Sequence, residues 1–99
     1  MKKNLQTVAE KILQRRLQMI VHSYIYYVLN DNIVSDAVWM RWAKELEKMQ
    51  KEHPEEAKKV KFAGLFSDWD GSTGFHLAQA ADDKAIGKAR YLLANRRKR

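Results

Sequence analysis

Tyr26, Tyr27, Asp36 and Trp39 are the side chains whose types and spacing could do chemistry together in this sequence. Tyr26-Tyr27 closes one apolar-periodic run just before Asn30-Asp31-Asn32, and Ser35-Asp36-Ala37 opens the next. The two runs therefore read as neighbouring helices joined by a short turn. At such a joint, aromatic faces and one carboxylate would surround a small concavity suited to a flat ring bearing a charge or an amide. On periodicity alone the same aromatics also fit a helical core, and Asp36 also fits a helix N-cap or first-turn acid, so both readings stand at this point.

Other chemistry finds little support in the residues. His22, His53 and His76 are dispersed, without His-x-x-x-His spacing or a paired carboxylate, so neither a metal site nor a general base is expected. The sequence has no cysteine, which removes disulfides, thiolate nucleophiles and cysteine-held zinc or iron–sulfur sites. Asp68-Trp69-Asp70-Gly71 lacks the terminal glutamate of a calcium loop, and Ser72-Thr73-Gly74 lacks the glycine-rich lead and lysine that cradle a phosphate. The expectation is a non-catalytic protein that requires no cofactor.

The net charge of +7 is unevenly placed. Through residue 83 twelve Lys and Arg balance twelve Asp and Glu, and the excess comes from Lys84, Lys88, Arg90, Arg96, Arg97, Lys98 and Arg99. These cations could make weak, salt-sensitive and non-specific contacts with nucleic-acid phosphates. A charged terminus that serves only solubility is the plainer reading.

The elements that must position these residues follow from period and breaks. Ninety-nine residues with 45% apolar side chains predict one small helical domain spanning 1–99. Leu5, Val8, Ile12, Met19 and their neighbours recur at three- and four-residue steps, which predicts a first helix over 4–29. A second helix over 35–53 carries Trp39, Trp42, Ala43, Leu46 and Met49 on one face, and Pro54 suits the first turn of a short helix over 54–60. From 61 to 78 the period is lost among Gly64, Gly71, Gly74 and the aromatics Phe62, Phe66, Trp69 and Phe75. An ordered loop or a small β-hairpin is expected around 62–77. Asp82 or Asp83 caps a last helix over 82–96 with Ile86, Ala89, Leu92 and Leu93 inward. The fold class is thus mainly all-α, an antiparallel helical hairpin plus a C-terminal helix. With no signal-peptide pattern and no membrane-spanning run, a soluble, cytoplasmic protein is expected.

Tyr24-x-Tyr26-Tyr27-Val28-Leu29, Ser35-Asp36-Ala37, Leu46-Glu47 and His53-Pro54-Glu55 together resemble the N-terminal helical (Ia) subdomain of bacterial NAD-dependent DNA ligases, over about a third of the chain. In that family the subdomain grips the nicotinamide mononucleotide (NMN) half of NAD. The resemblance implies that Tyr26, Tyr27, Asp36 and Trp39 stand at the NMN-contacting positions. Two positions depart from the family pattern: Met40 replaces an aspartate and Val38 a glutamate, which removes negative charge from a site for a cationic ring. Trp39 could compensate by stacking. The family's adenylation motif, Lys-x-Asp-Gly, has its nearest counterpart in Asp68-Trp69-Asp70-Gly71, where an aspartate cannot form the phosphoramide bond.

The expected function is a small non-catalytic module that binds NMN, NAD or a related nicotinamide nucleotide, in the style of a stand-alone phage or prophage protein. The alternative is an interaction protein that keeps the ligase-like hairpin as a scaffold and docks on a host or phage protein or on nucleic acid.

Overall fold

The computed structural model describes residues 7–31, 33–67, 69 and 74–96. These residues form six helices: α1 (Val8–Tyr27), α2 (Asp36–Glu52), α3 (Pro54–Lys59), α4 (Ala63–Phe66), α5 (Phe75–Gln79) and α6 (Asp83–Arg96). Among the described residues there is no strand.

Thr7 sets the start of α1. Its backbone is extended, its hydroxyl accepts from the Glu10 amide at 3.1 Å, and its own amide donates to Glu10 Oε1 at 2.8 Å. This reciprocal capping satisfies two donors that a helix start leaves open, so α1 begins at Val8, inside the expected span. At the other end the Leu29 amide returns to the Tyr24 carbonyl at 3.1 Å and the Asp31 amide to the Ile25 carbonyl at 3.0 Å. These wide closures wrap the last turn, and Asn30 adopts the left-handed backbone (φ 55°) that asparagine tolerates.

Ser35 caps α2, accepting from the Val38 amide at 3.2 Å. Arg15 pairs with Glu45 at 3.1 Å, Arg16 bonds Gln50, and the His22 ring meets Trp42 edge-on at 5.1 Å. From Arg16–Gln50 to His22–Trp42 the position rises on α1 and falls on α2, which makes the two helices antiparallel. Lys44 and Lys51 reach the half-buried Glu47 from its exposed side, and Lys48 pairs with Glu52 on the outer face of α2. Each pair is worth at most about 1 kcal/mol.

The core is organised around α1. Ile12, Met19, Ile20, Val21 and Ile25 are buried there, and Ala43 and Leu46 of α2, Phe66 of α4, Trp69, Leu77 of α5, and Ala85 and Ala89 of α6 close over them. Burying one large aliphatic or aromatic side chain contributes about 1.5–3 kcal/mol. α1 needs a broad apolar face because α2, α3, α5 and α6 all pack on it.

Of the ordered loop or small β-hairpin expected around 62–77, the hairpin is not found among the described residues. The described residues of this segment form two short helices, α4 and α5. The physical reason is burial: Phe66 and Trp69 meet edge-to-face at 5.1 Å and face inward with Leu77, an arrangement in which apolar side chains seek one helix rather than alternate across a ladder. Phe62 turns the chain with a left-handed backbone (φ 75°) just before α4. The turn signal at Asp70-Gly71, and the tracts Asp68 and Ser72-Thr73, lie outside the described residues.

α6 starts where Asp82 Oδ1 accepts from the Ala85 amide at 2.9 Å. Ala85 and Ala89 are buried against α1, while Leu92 and Leu93 are half-buried. No helix among the described residues is long and apolar enough to cross a membrane.

Candidate functional site

The wrapped end of α1 creates the site. Tyr26 and Tyr27 meet edge-to-face at 4.8 Å and are 47% and 39% exposed, a large aromatic surface to leave in water. With Asn30 and Asp31 they line an open recess of about 500 Å³. The left-handed turn at Asn30 brings an amide and a carboxylate beside the two rings. Sequence reasoning read Asn30 and Asp31 only as helix breakers, although Asn-Asp directly after a tyrosine pair was a usable signal for polar groups at the same end.

Asp36 and Trp39 stand outside the described lining of this recess. Asp36 is the exposed first-turn acid of α2, and because Ser35 supplies the cap, its carboxylate is not the capping group. Trp39 is half-buried and packs on the core. A Cβ placed on Gly74 would lie 2.9 Å from Trp39 Cζ2 and 3.0 Å from Ser23 Cβ, so the backbone entering α5 passes close beneath the tryptophan. The next residue, Phe75, meets Tyr27 edge-to-face at 5.5 Å and is 54% exposed. Tyr26, Tyr27 and Phe75 therefore form one connected aromatic surface, while Trp39 packs on the core beside the Gly74 backbone. Phe75 was missed from sequence because residues 62–77 lacked a period that would assign it a face.

Arg16 is the other residue that sequence reasoning passed over. It is 1% exposed, and its guanidinium donates to Gln50 Oε1 (2.9 Å) and to the carbonyls of Ala57 (2.9 Å), Val60 (3.0 Å) and Lys61 (3.0 Å). The Phe66 ring lies 5.4 Å from its Cζ. Burial pushes its pKa below the usual arginine value. These partners are the open carbonyls at the end of α3, so the Arg16 guanidinium closes that helix end from a neighbouring helix. Its spacing from Ile12, Met19 and Ile20 was the available signal that it belongs to the inward face.

The three histidines lie apart, His22 on α1, His53 between α2 and α3, and His76 on α5. Among the described residues no group of His, Asp or Glu is placed to hold a metal ion. Desolvation lowers the pKa of half-buried His22, which faces Trp42 on one side and a groove holding Lys84 and Lys88 on the other. Its folded pKa lies below the unfolded value of about 6.5, so the neutral ring favours folding. The stability gained from neutral His22 is complete above the unfolded pKa and is lost as pH falls from there through the folded value. Melting temperatures between pH 7.5 and 5.5 should fall with acidification in the wild type, and His22→Gln should flatten that slope.

Of the basic residues, Lys84, Lys88 and Arg90 are exposed on α6 and Arg96 is its last residue, while Arg97, Lys98 and Arg99 lie outside the described residues.

The family model described as "DNA ligase-like, N-terminal NAD+-binding domain" matches residues 5–59. This segment holds α1, α2, α3 and the aromatic recess, and leaves α4, α5 and α6 unmatched. A DNA ligase of Bacteroides fragilis is 49% identical over 49 residues, which is 50% of this chain and 7% of that protein. DNA ligases of Stutzerimonas stutzeri and Pseudomonas paraeruginosa are 44% and 40% identical over 50 residues, 50% of this chain and 6% of each relative. The chain thus spans less than a tenth of the length of these curated relatives. No solved structure matches it significantly.

Proposed function

We propose, given that this chain belongs to the DNA ligase-like N-terminal NAD+-binding domain family, that it is a binding module holding a nicotinamide-type nucleotide at the wrapped end of α1. The observation that carries this reading is the exposed Tyr26–Tyr27 pair lining an open recess with Asn30 and Asp31, inside the segment that the family model covers. A cationic nicotinamide ring is attracted to an aromatic face, and Asp31 adds a carboxylate to the same wall. Asp36, exposed and not occupied as a cap, supplies a second carboxylate from the start of α2. Phe75 extends the aromatic surface beside Tyr27. In this reading the protein binds and orients its ligand and carries out no reaction of its own, because the side chains at the recess are stackers and hydrogen-bonding groups, with no nucleophile beside a base.

The test is a thermal-shift titration of the protein with NMN, NAD, nicotinamide riboside and AMP, repeated with Tyr26→Ala and Asp36→Ala. A ligand that binds only the folded state, at a hundredfold excess over its Kd, adds about 2.7 kcal/mol of stability. For a protein of this length that is a rise of roughly 10–20 °C in melting temperature. The expected result is a saturable rise with NMN or NAD, little with AMP, and its loss in both variants. No rise with any nicotinamide compound at millimolar concentration, a binding energy of only about 4 kcal/mol, sinks the proposal.

A further inference from the structure

The groove between α1 and α6 lies apart from the tyrosine recess and has its own chemistry. It is an open trough of about 560 Å³, to which α1 gives Leu17, Gln18 and His22 and α6 gives Lys84, Lys88 and Leu92. Among the described residues no carboxylate lines it, and neither lysine is held in an ion pair. Along α6, Lys84, Lys88, Tyr91 and Asn95 recur at i, i+4, i+7 and i+11, a spacing that puts them on one face, and all four are exposed. Lys84 and Lys88 line the trough, and the same face of α6 continues past it to Tyr91 and Asn95. Arg90 belongs to another side of the helix.

The stripe combines cations with an aromatic ring. The two lysines stand one turn, about 6 Å, apart along the axis, on the order of the spacing of neighbouring phosphates in a strand. Tyr91 is 61% exposed, and Lys88 Nζ lies 6.0 Å from its ring centroid, so the charge and the stacking surface act at one place. A positive groove with an exposed aromatic beside it is the pattern that follows a phosphodiester backbone while stacking a base. A lipid surface fits less well, since Ala85 and Ala89 of α6 are buried against α1 and Leu92 and Leu93 are already half-buried there, which leaves a narrow apolar face to enter a bilayer. An acidic polypeptide would pair with the lysines but would have no base to stack on Tyr91.

We infer that the α1–α6 trough, lined by Lys84 and Lys88, together with Tyr91 beside Lys88, is a binding surface for single-stranded nucleic acid, holding its phosphates by the two lysines and one base on Tyr91. α6 lies beyond the family-matched segment, so this activity stands or falls independently of the nicotinamide reading. The test measures anisotropy of a labelled mixed-sequence DNA strand and of an abasic strand of equal length, over a range of salt, with wild type, Lys84→Gln, Lys88→Gln, Tyr91→Ala and Lys59→Gln. Lys59 is an exposed cation on α3 and serves as the control. Each groove lysine should contribute about 0.7 to the slope of log affinity against log salt, and its replacement should remove that share. Tyr91→Ala should weaken binding about tenfold on the base-bearing strand and leave the abasic strand unaffected. Wild-type-like binding by the three groove variants, or an equal loss in Lys59→Gln, would overturn the assignment. So would equally tight binding of polyglutamate or of phosphatidylserine vesicles by the wild type.

Discussion

Replacing Arg16 by Met should cost about 3–5 kcal/mol of folding stability, the largest effect expected of any single change here. For a protein of about a hundred residues that is a fall of roughly 15–35 °C in melting temperature. Methionine fills most of the aliphatic volume, so lost packing contributes little, although the guanidinium over the Phe66 ring goes with the charge. The cost comes from the acceptors left behind. Arg16 satisfies Gln50 Oε1 and three carbonyls at the end of α3 with one planar group, and these oxygens lie where water must reach them through a cleft walled by Lys51, Pro54, Phe66 and Trp69. Lysine offers a point charge instead of a fork and cannot reach all four, so Arg16→Lys should recover only part of the loss. The measurement is urea or thermal unfolding followed by circular dichroism. A drop under about 5 °C for Arg16→Met would show that the guanidinium network adds little to folding.

Gly74→Ala should come second, at about 2–3 kcal/mol, the range of overpacking in a filled core. The added methyl would press on Ser23 Oγ and stand 2.9 Å from Trp39 Cζ2, closer than real Cβ atoms approach. Neither neighbour can retreat easily. Ser23 is fully buried in the middle of α1, and Trp39, on the first turn of α2, is half-buried against the core. Ser23 Oγ also has no hydrogen-bond partner among the described residues, so deleting it removes an unsatisfied polar atom. Ser23→Ala alone should therefore be neutral or slightly stabilising, and in the Ser23→Ala background Gly74→Ala should cost clearly less. Denaturant unfolding of the four proteins in this double-mutant cycle reads the coupling directly. Equal costs in both backgrounds would mean that the strain lies against Trp39 alone. Because Phe75 follows Gly74 and leans on Tyr27, Gly74→Ala should also weaken any ligand held at the tyrosine recess.

Much of the helical hairpin was legible in the sequence. The three- and four-residue recurrence from Val8 onward, the Asn30-Asp31 break, the Ser35 cap and Pro54 at the first turn of α3 are local signals, and the helices run between them. The capping box shows how small the residual error is. Thr7 and Glu10 form the start signal that opens α1 at Val8. The tyrosine pair was also legible, since adjacent residues at a helix end must share a neighbourhood.

Tertiary structure decided the rest. Residues 62–77 carry aromatics without a period, and whether they pair as strands or curl into short helices depends on which surface they bury, which is set by α1. Phe75 joins Tyr27, and Gly74 slides under Trp39, only because α5 crosses α1. Register alone put Arg16 on the apolar face of α1, but its acceptors lie 34 to 45 residues further along the sequence. Helix period and capping act over three or four residues and can be read one turn at a time. The desolvation of a buried cation and the contacts of an unpatterned aromatic depend on distant partners, and those partners exist only once the helices have packed.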